Sequence, residues 1–569
     1  MKAGDIAYPT FRIEPGIAGL TEEQIELARA EAAKQRIPLY ESILKLGLAD
    51  EVEFLTATAE KTGLEFINGA IVDIEDDALK VVSANVASHY NIIPLKVTSN
   101  TLYVATCNPF NSDMKGEIEL VLDNLYNVEF VLATSEAIKK TIRKSYGVGA
   151  ATVEQMTVGK KISEGPSHKE DLMDENKARD ASVIKLVNQL IADAIGVEAT
   201  DIHIEPYEDD LRARYRIDGM LHDTGIPKTV KFFREGIISR IKIMSGLDIA
   251  EKRLPQDGRT QVNLGGHKFD LRVSILPTRY GEAINIRILP QSRLISDLFS
   301  LGIAESDVNK LSKLIHKPHG IILVTGPTGS GKTTTLYACM NMLKDTSRKI
   351  ITIEDPIEYD MHGIVQMQVH PEIGFTFARA LRSMLRHDPD IMLVGEIRDL
   401  ETAETAIRTA LTGHLVFSTL HTNDAASAIT RLLDMGIEPY LVASSIDAIL
   451  AQRLVRVICS NCKEPCEPEP EVATAIKSLT SFDKLDKLHH GRGCSKCRFT
   501  GYHGRTVITE LFLLSEKIRE MTITRRHSGE IDAQARSEGM TSLFFSGLDK
   551  ARQGITTYEE ILRVTKGVC

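Results

Sequence analysis

The nine residues from Gly326 to Thr334 carry the plainest chemistry in the chain. Gly326, Pro327, Thr328, Gly329, Ser330, Gly331, Lys332 and Thr333 fit the spacing GxxxxGK[ST], and Thr334 follows as a further nucleotide-binding candidate. Glycines at these points let the backbone curl so that successive amides face phosphate oxygens, and the helix that follows adds the positive end of its dipole. Lys332 then reaches the β- and γ-phosphates, and the Thr333 hydroxyl binds magnesium. The context agrees: IILVT reads as a buried strand before the loop, and TTTLYACMNML reads as a helix after it. The motif alone defines a nucleoside triphosphatase and no subclass.

Two strands end in acids. IMLVGEIRD (391–399) stands where a Walker B strand belongs, with Gly395 at the usual aspartate position. Glu396 is left to hold magnesium, to polarise the attacking water, or to share both tasks. ITIEDPIEY (351–359) offers Glu354, Asp355 and Glu358. A carboxylate near the γ-phosphate can orient water, which makes Glu358 a rival general base. His414 and His421 flank LVFSTL, and a histidine beside the γ-phosphate could register its presence.

A second chemistry lies in Cys459, Cys462, Cys494 and Cys497, two CxxC pairs separated by 31 residues (463–493). That spacer exceeds the ~15–20 residues of simple zinc ribbons. Two such knuckles nevertheless close four thiolates around one Zn²⁺ whatever the loop length, and a closed site of four cysteines is structural. Cys466 is a spare. Paired CxxC spacing in a reducing compartment favours metal over disulfide.

The elements that must position these groups fall into four stretches, and the fold class expected is α/β. Residues 1–146 read as helices, including a capping box at Thr21 and Gln24, followed by β-rich runs. This mixed domain carries no evident chemistry. Residues 147–179 lose apolar periodicity and read as a flexible linker. From 180 to 295 a helix precedes strands of an antiparallel sheet. From 296 to 569 strands and helices alternate as in a parallel α/β sheet. The Cys-rich module interrupts this domain at about 455–505, with helical text from there to the C-terminus.

The whole chain has 569 residues, 78 acidic against 68 basic, and a net charge of −10. That balance argues against a nucleic-acid binder, whose footprint would be basic. No apolar run approaches the ~18–20 residues that span a bilayer. The first residues do not read as a secretory signal. The expectation is a cytoplasmic protein that meets a membrane only through partners.

The segments GPTGSGKTTTLY, ITIEDPIEY, LRSMLRHDPDIMLVGEIRD and TGHLVFSTLHTNDA closely resemble the Walker A, Asp box, Walker B and His box of the secretion-superfamily ATPases. The resemblance is to the assembly branch, the GspE/PilB family of type II secretion and type IV pilus extension. It extends through ATDIHIEP, AEKRLPQDGRTQ, LRVSILPTRYGEAINIRIL and AQRLVRVIC, over about residues 180–565. It implies a RecA-like ATPase domain preceded by a PAS-like domain. It assigns Lys332 and Thr333 to triphosphate and magnesium, Glu396 to the Walker B acid, Glu358 to the Asp box, and His421 to the γ-phosphate. Arg272 and Arg287 match the family's arginine fingers. The resemblance supports structural zinc and separates the chain from pilus retraction ATPases. It also implies a homo-hexamer at the inner membrane, acting on an inner-membrane platform protein and docked to the cytoplasmic domain of a system-specific membrane partner. ATP, Mg²⁺ and Zn²⁺ are the expected cofactors.

Two other classes stand as alternatives. One is a nucleic-acid translocating ring NTPase. The other is a second-messenger-regulated ATPase, for which the nearest text is RIPLYESILKLGLADEVEFLTATAEKTG, where Arg36-Ile37-Pro38 stands in place of an RLG start.

Overall fold

The computed structural model describes residues 13–565 apart from 14, 36, 72–73, 111, 155, 157–168, 291–296, 468–487 and 495, without side chains at 112–113 and 169–179. The chain folds as two compact units, Met1–Pro290 and Gln291–Cys569. Among the described residues no helix is long and apolar enough to cross a membrane.

The N-terminal cap read at Thr21 is reciprocal. The Thr21 amide donates to Gln24 Oε1 at 2.9 Å, and the Gln24 amide donates to Thr21 Oγ1 at 3.3 Å. The helices Glu22–Gln35, Leu39–Lys45 and Glu51–Thr62 follow. Ile25, Ala28, Ile43, Phe54 and Leu55 pack with Ile93, Ala105 and Val131 of a four-stranded sheet. Its strands are β1 (Phe66–Ile67), β2 (Ile92–Thr98), β3 (Thr101–Thr106) and β4 (Asn127–Ala133), in the order β1-β4-β3-β2. Arg36, the first residue of the RIP text, lies outside the described residues.

The second sheet of this unit has six antiparallel strands in the order β7-β6-β5-β10-β9-β8. They are β5 (Asp201–Pro206), β6 (Leu211–Ile217), β7 (Met220–Asp223), β8 (Gln256–Leu264), β9 (His267–Thr278) and β10 (Gly281–Pro290). Period-two alternation gives the sheet one apolar and one polar face. Leu271, Val273, Ile275, Ile284, Ile286 and Ile288 are buried with residues of the helices Lys169–Gly196 and Arg234–Ser245. Arg272 and Arg287 take the intervening positions.

The stretch 147–179 is not a linker throughout. Val148, Val153 and Met156 are buried in the core of this second sheet domain, and the helix Lys169–Gly196 begins eleven residues before Asp180. Composition misled because KEDLMDENKARD, although highly charged, consists largely of residues that tolerate a helix well. The remainder of that expectation, at 157–168, lies outside the described residues.

One buried ion pair ties this domain together. Lys242 Nζ sits 2.7 Å from a Glu282 carboxylate oxygen, their side chains 1% and 5% exposed, and donates to the Glu251 carbonyl at 2.6 Å. The Gln256 amide also donates to the carbonyls of Asp248 and Glu251, so the segment AEKRLPQDGR is fastened to the helix and to β10.

The second unit is built on seven strands in the order β13-β12-β14-β15-β11-β16-β19. They are β11 (Gly320–Thr325), β12 (Ile350–Glu354), β13 (Val365–Gln368), β14 (Ile391–Val394), β15 (Leu415–Leu420), β16 (Ile446–Ile458) and β19 (Tyr502–Leu513). The two-stranded hairpin of β17 (Lys463–Cys466) and β18 (Leu488–Gly491) lies between β16 and β19 in sequence. All neighbours in the large sheet run parallel except β19, which is antiparallel to β16.

Helices cover both faces, as a parallel sheet requires. Every residue of β11 is buried. Ile321 and Leu323 join one core, and Ile322 and Val324 join the other. The text after Cys497 is therefore not all helical. YHGRTVITELFL supplies a twelve-residue strand, whose run from Val507 to Phe512 is buried and so shows no alternation in the sequence.

Breaking the Lys242–Glu282 pair leaves a buried charge without its partner, so Lys242→Ala should destabilise the first unit by about 3–5 kcal/mol. Lys242→Met combined with Glu282→Leu should recover most of that loss. Equilibrium urea unfolding of the three variants checks both outcomes.

Candidate active site

In an open parallel sheet, ligands bind at the carboxyl ends of the strands. Here the phosphate loop leaves β11, the Asp-box residues leave β12, Glu396 follows β14, and His421 follows β15.

The loop's shape depends on close approach of backbone. Gly326 has φ +148, and a β-carbon on it would lie 2.5 Å from the Gln452 carbonyl oxygen and 2.6 Å from Ser330 Oγ. Only glycine fits. The helix Lys332–Leu343 starts directly behind Gly331. Lys332 is buried and donates to the carbonyls of Gly326 at 2.9 Å and Pro327 at 3.2 Å. Burial pulls its pKa below the ordinary lysine value; the nearby Glu396 opposes this and Arg453 adds to it. Ser330 Oγ is buried with no hydrogen-bond partner. A glycine-rich loop before a helix N-terminus, an ammonium resting on carbonyls and an unpartnered hydroxyl suit a polyphosphate. Thr333 and Glu396 are the donors that would hold magnesium, which supplies charge neutralisation at the phosphates.

Gly395 explains why the acid sits one residue late. A β-carbon there would lie 3.2 Å from the Ile353 carbonyl oxygen and 3.3 Å from the Glu354 Cα, because the Gly395 amide donates across to Ile353 at 2.8 Å. A side chain at 395 would crowd β12, and Glu396 is the next position free to carry one. Glu396 is mostly buried, 13% exposed, with His421 Nε2 at 3.3 Å and the Arg398 guanidinium against its other oxygen. The structure thus brings the Walker B acid and the His-box histidine together.

The Asp box divides. Glu354 is buried and accepts from Tyr337, from Thr352 at 2.6 Å and from Gln366 at 3.2 Å. Burial pushes its pKa up, with the charge of Glu358 contributing to the rise. It is a structural acid. Glu358 stays half-buried, four residues past the end of β12 on the edge that carries the phosphate loop. His414 Nδ1 lies 3.0 Å from the Thr409 carbonyl at a helix end, a structural role.

In the first unit, Arg272 and Arg287 are direct cross-strand partners on β9 and β10. The same register continues to Arg259 on β8 and, through Asp201 on β5, to Arg216 on β6. Cross-strand partners share a face, and like charges side by side are unfavourable. Asp201, its side chain 9% exposed, relieves part of that repulsion: Arg287 Nε donates to it at 3.2 Å and Arg216 Nε lies at 3.8 Å.

Sequence reasoning missed Gln452 and Arg453 on β16. Gln452 is buried, donates to the Ser330 carbonyl at 2.7 Å and accepts from Thr335 Oγ1 at 2.9 Å, bracing the loop from behind. Two polar residues in the middle of the apolar text ILAQRLV were the available signal, since such residues are seldom buried without a task.

The four cysteines converge where β16 ends and β19 begins. The sulfurs of Cys459 and Cys494 are 3.8 Å apart, and Cys497 is 3.7 Å from both Cys462 and Cys494. All four lie within 4.8 Å of one another. Tetrahedral zinc with bonds of about 2.3 Å sets its sulfurs about 3.8 Å apart, and a disulfide would need about 2.05 Å. The cluster fits zinc, with no fifth ligand position implied.

Hydrolysis of a triphosphate needs a grip on the phosphates and a carboxylate at the attacking water. One sheet edge supplies both, so fold and site define an ATPase of the RecA-like P-loop class. A model of the type II/IV secretion system protein family matches residues 176–563, and an MshEN domain model matches residues 62–152. The type IV pilus assembly ATPase PilB of Myxococcus xanthus is 41% identical over 549 residues, which span 95% of this chain and 96% of that one. Type II secretion system protein E of Xanthomonas campestris is 39% identical over 554 residues, 96% of each chain. The type II secretion system ATPase E of Vibrio cholerae is 47% identical over 405 residues, 71% of this chain and 79% of that one. The chain belongs to the type II/IV secretion system protein family, among the GspE/PilB assembly ATPases.

Because four converging thiolates repel one another without a cation, Cys494→Ser should release the metal and lower the stability of the second unit. Zinc content by atomic absorption and thermal unfolding before and after chelation check this; an unchanged zinc content refutes it.

Proposed function

We propose that the chain is the hexameric motor of an extracellular filament system. It hydrolyses ATP at the cytoplasmic face of the inner membrane and drives pilin or pseudopilin assembly through a membrane platform protein. The observation that carries this reading is the alignment over nearly the full length, 95% or more of this chain, with both a type IV pilus assembly ATPase and a type II secretion protein E. The N-terminal region, where system-specific partners would dock, is included in that span.

Lys332 and the loop amides bind the triphosphate, Thr333 and Glu396 hold magnesium, and Glu396 or Glu358 orients the attacking water. His421, whose Nε2 lies 3.3 Å from Glu396, faces the terminal phosphate. Arg272 and Arg287 bring positive charge to that phosphate and neutralise charge that develops in the transition state. These contacts exist with a triphosphate and lapse with a diphosphate. That difference is what lets a ligand drive a conformational step. The four-cysteine cluster holds zinc as a structural element outside the reaction.

Turnover by the purified full chain should rise when the cytoplasmic fragment of the cognate platform protein is added, and should not respond to double-stranded DNA. The reverse pattern would replace this reading with a nucleic-acid translocase.

Lys332→Ala should remove nucleotide binding and turnover together. Arg287→Ala should leave ATP affinity within about threefold while lowering kcat by about a hundredfold or more, as loss of a group that acts in the transition state does. Equal losses in affinity and kcat would count against the arginine assignment.

A further inference from the structure

Gln452 and Arg453 are consecutive on β16, so their side chains leave opposite faces of the sheet. Gln452 grips the phosphate loop. The carbonyl it contributes to the 452–453 peptide packs against Gly326 so closely that a β-carbon there would lie 2.5 Å away. Arg453 grips the loop that carries His421: its Nη2 donates to the Asn423 carbonyl at 2.9 Å and to Asn423 Oδ1 at 3.2 Å.

That His-box loop is also stapled to the end of β11, because Thr325 Oγ1 donates to the Thr422 carbonyl at 3.0 Å. His421, two residues before Asn423, places Nε2 3.3 Å from Glu396. A single peptide of β16 therefore touches both halves of the site.

Arg453 is an unusual residue to find in this place. It is 7% exposed, and its Nη1 is buried with no hydrogen-bond partner. Among the described residues no carboxylate forms an ion pair with it within 4 Å, although Asp424 and Glu510 are near enough to favour its charge and Lys332 is near enough to feel it. A buried cation without a close counter-ion is costly, and so is a buried donor without an acceptor. If packing were its only task, an apolar side chain would serve better.

We infer that Arg453 is a positioning residue of the ATPase reaction. Braced on the phosphate loop through the 452–453 peptide, it holds the Asn423 turn so that His421 meets Glu396 and the terminal phosphate. Displacement of the loop by a bound triphosphate is passed through this peptide to the histidine, and an ATP complex differs from an ADP complex in how that histidine is held. The inference rests on the reading of His421 as the histidine facing the terminal phosphate.

The test uses the full chain and the variants Arg453→Gln, Arg453→Lys, His421→Ala and His421→Ala/Arg453→Gln. Steady-state kinetics should show Arg453→Gln lowering kcat at least about tenfold with KM for ATP within about threefold. Arg453→Lys, which keeps the charge and loses the two-point grip on Asn423, should fall between that variant and the native chain. The double variant should be no slower than His421→Ala alone, because residues that act as one unit are non-additive.

Melting of the nucleotide-free Arg453→Gln protein should stay within about 2 °C of the native value. The extra stabilisation that a non-hydrolysable ATP analogue gives over ADP should disappear in it. If Arg453→Gln does not fold, the same readings on Arg453→Lys decide. A slow His421→Ala beside a normal Arg453→Gln overturns this inference alone. Normal turnover of His421→Ala overturns the histidine reading and this inference with it. An additive double variant, or an unchanged preference for the ATP analogue, assigns Arg453 to packing and also overturns it.

Discussion

A phosphate loop must leave amides free for its ligand, so its backbone can close few internal hydrogen bonds and gains from being held in shape from outside. In this chain the outside support is β16. The Gln452 amide reaches the Ser330 carbonyl and its carbonyl side accepts from Thr335, while the backbone of the same residue presses on Gly326. The rest of the second unit is arranged so that this strand stays where it is. β11 pairs with it along one side, and β19 locks the other side through an antiparallel pairing that runs from Ala448 to Ile458. The apolar residues of β16 are shared between the cores on the two faces, Ile449, Ala451 and Val455 on one and Ala448 and Leu450 on the other.

The same logic of external support recurs at each functional group. Glu396 takes its position because Gly395 must press against β12, and hydroxyls from β15 tie the two strand ends: Ser418 Oγ donates to the Val394 carbonyl at 2.7 Å and Thr419 Oγ1 to the Gly395 carbonyl at 2.8 Å. Arg287 on the second sheet domain is oriented by Asp201, a carboxylate almost out of solvent. In both cases a candidate functional side chain, one just past the end of β14 and one on β10, is held by contacts from neighbouring strands. Support of this kind fixes where a side chain stands before any ligand arrives.

Much of this was legible in the sequence, for identifiable reasons. The phosphate loop, the acids after β12 and β14, and the cysteine knuckles are local patterns, and a local pattern survives in one dimension. Of the acids in ITIEDPIEY, Glu358 stood out in the sequence as the candidate base, and Glu354 had no assigned role. Only the packing of Tyr337, Thr352 and Gln366 around Glu354 removes it from the chemistry. The row Arg216–Asp201–Arg287–Arg272–Arg259 was invisible because it exists only once five strands fix their register. β19 was misread because a strand buried on both faces has no alternation to show. The helix Lys169–Gly196 was shortened on paper because its first turns are as charged as a disordered tail.

The cysteine knuckles sit at adjacent points of the antiparallel pair, Ile458 opposite Tyr502, so the chain leaves the sheet at Cys459 and returns at Cys497 almost where it departed. An excursion that starts and ends at one place transmits little of its own length to what lies beneath it, because closure entropy grows only slowly with loop size. The described ends of the excursion are fastened, β17 pairing with β18 and Leu488 packing with Phe544, Leu548, Tyr558 and Ile561. The mouth of the excursion is closed by the pairing of β16 with β19, so the register of those two strands does not depend on how much chain lies between them.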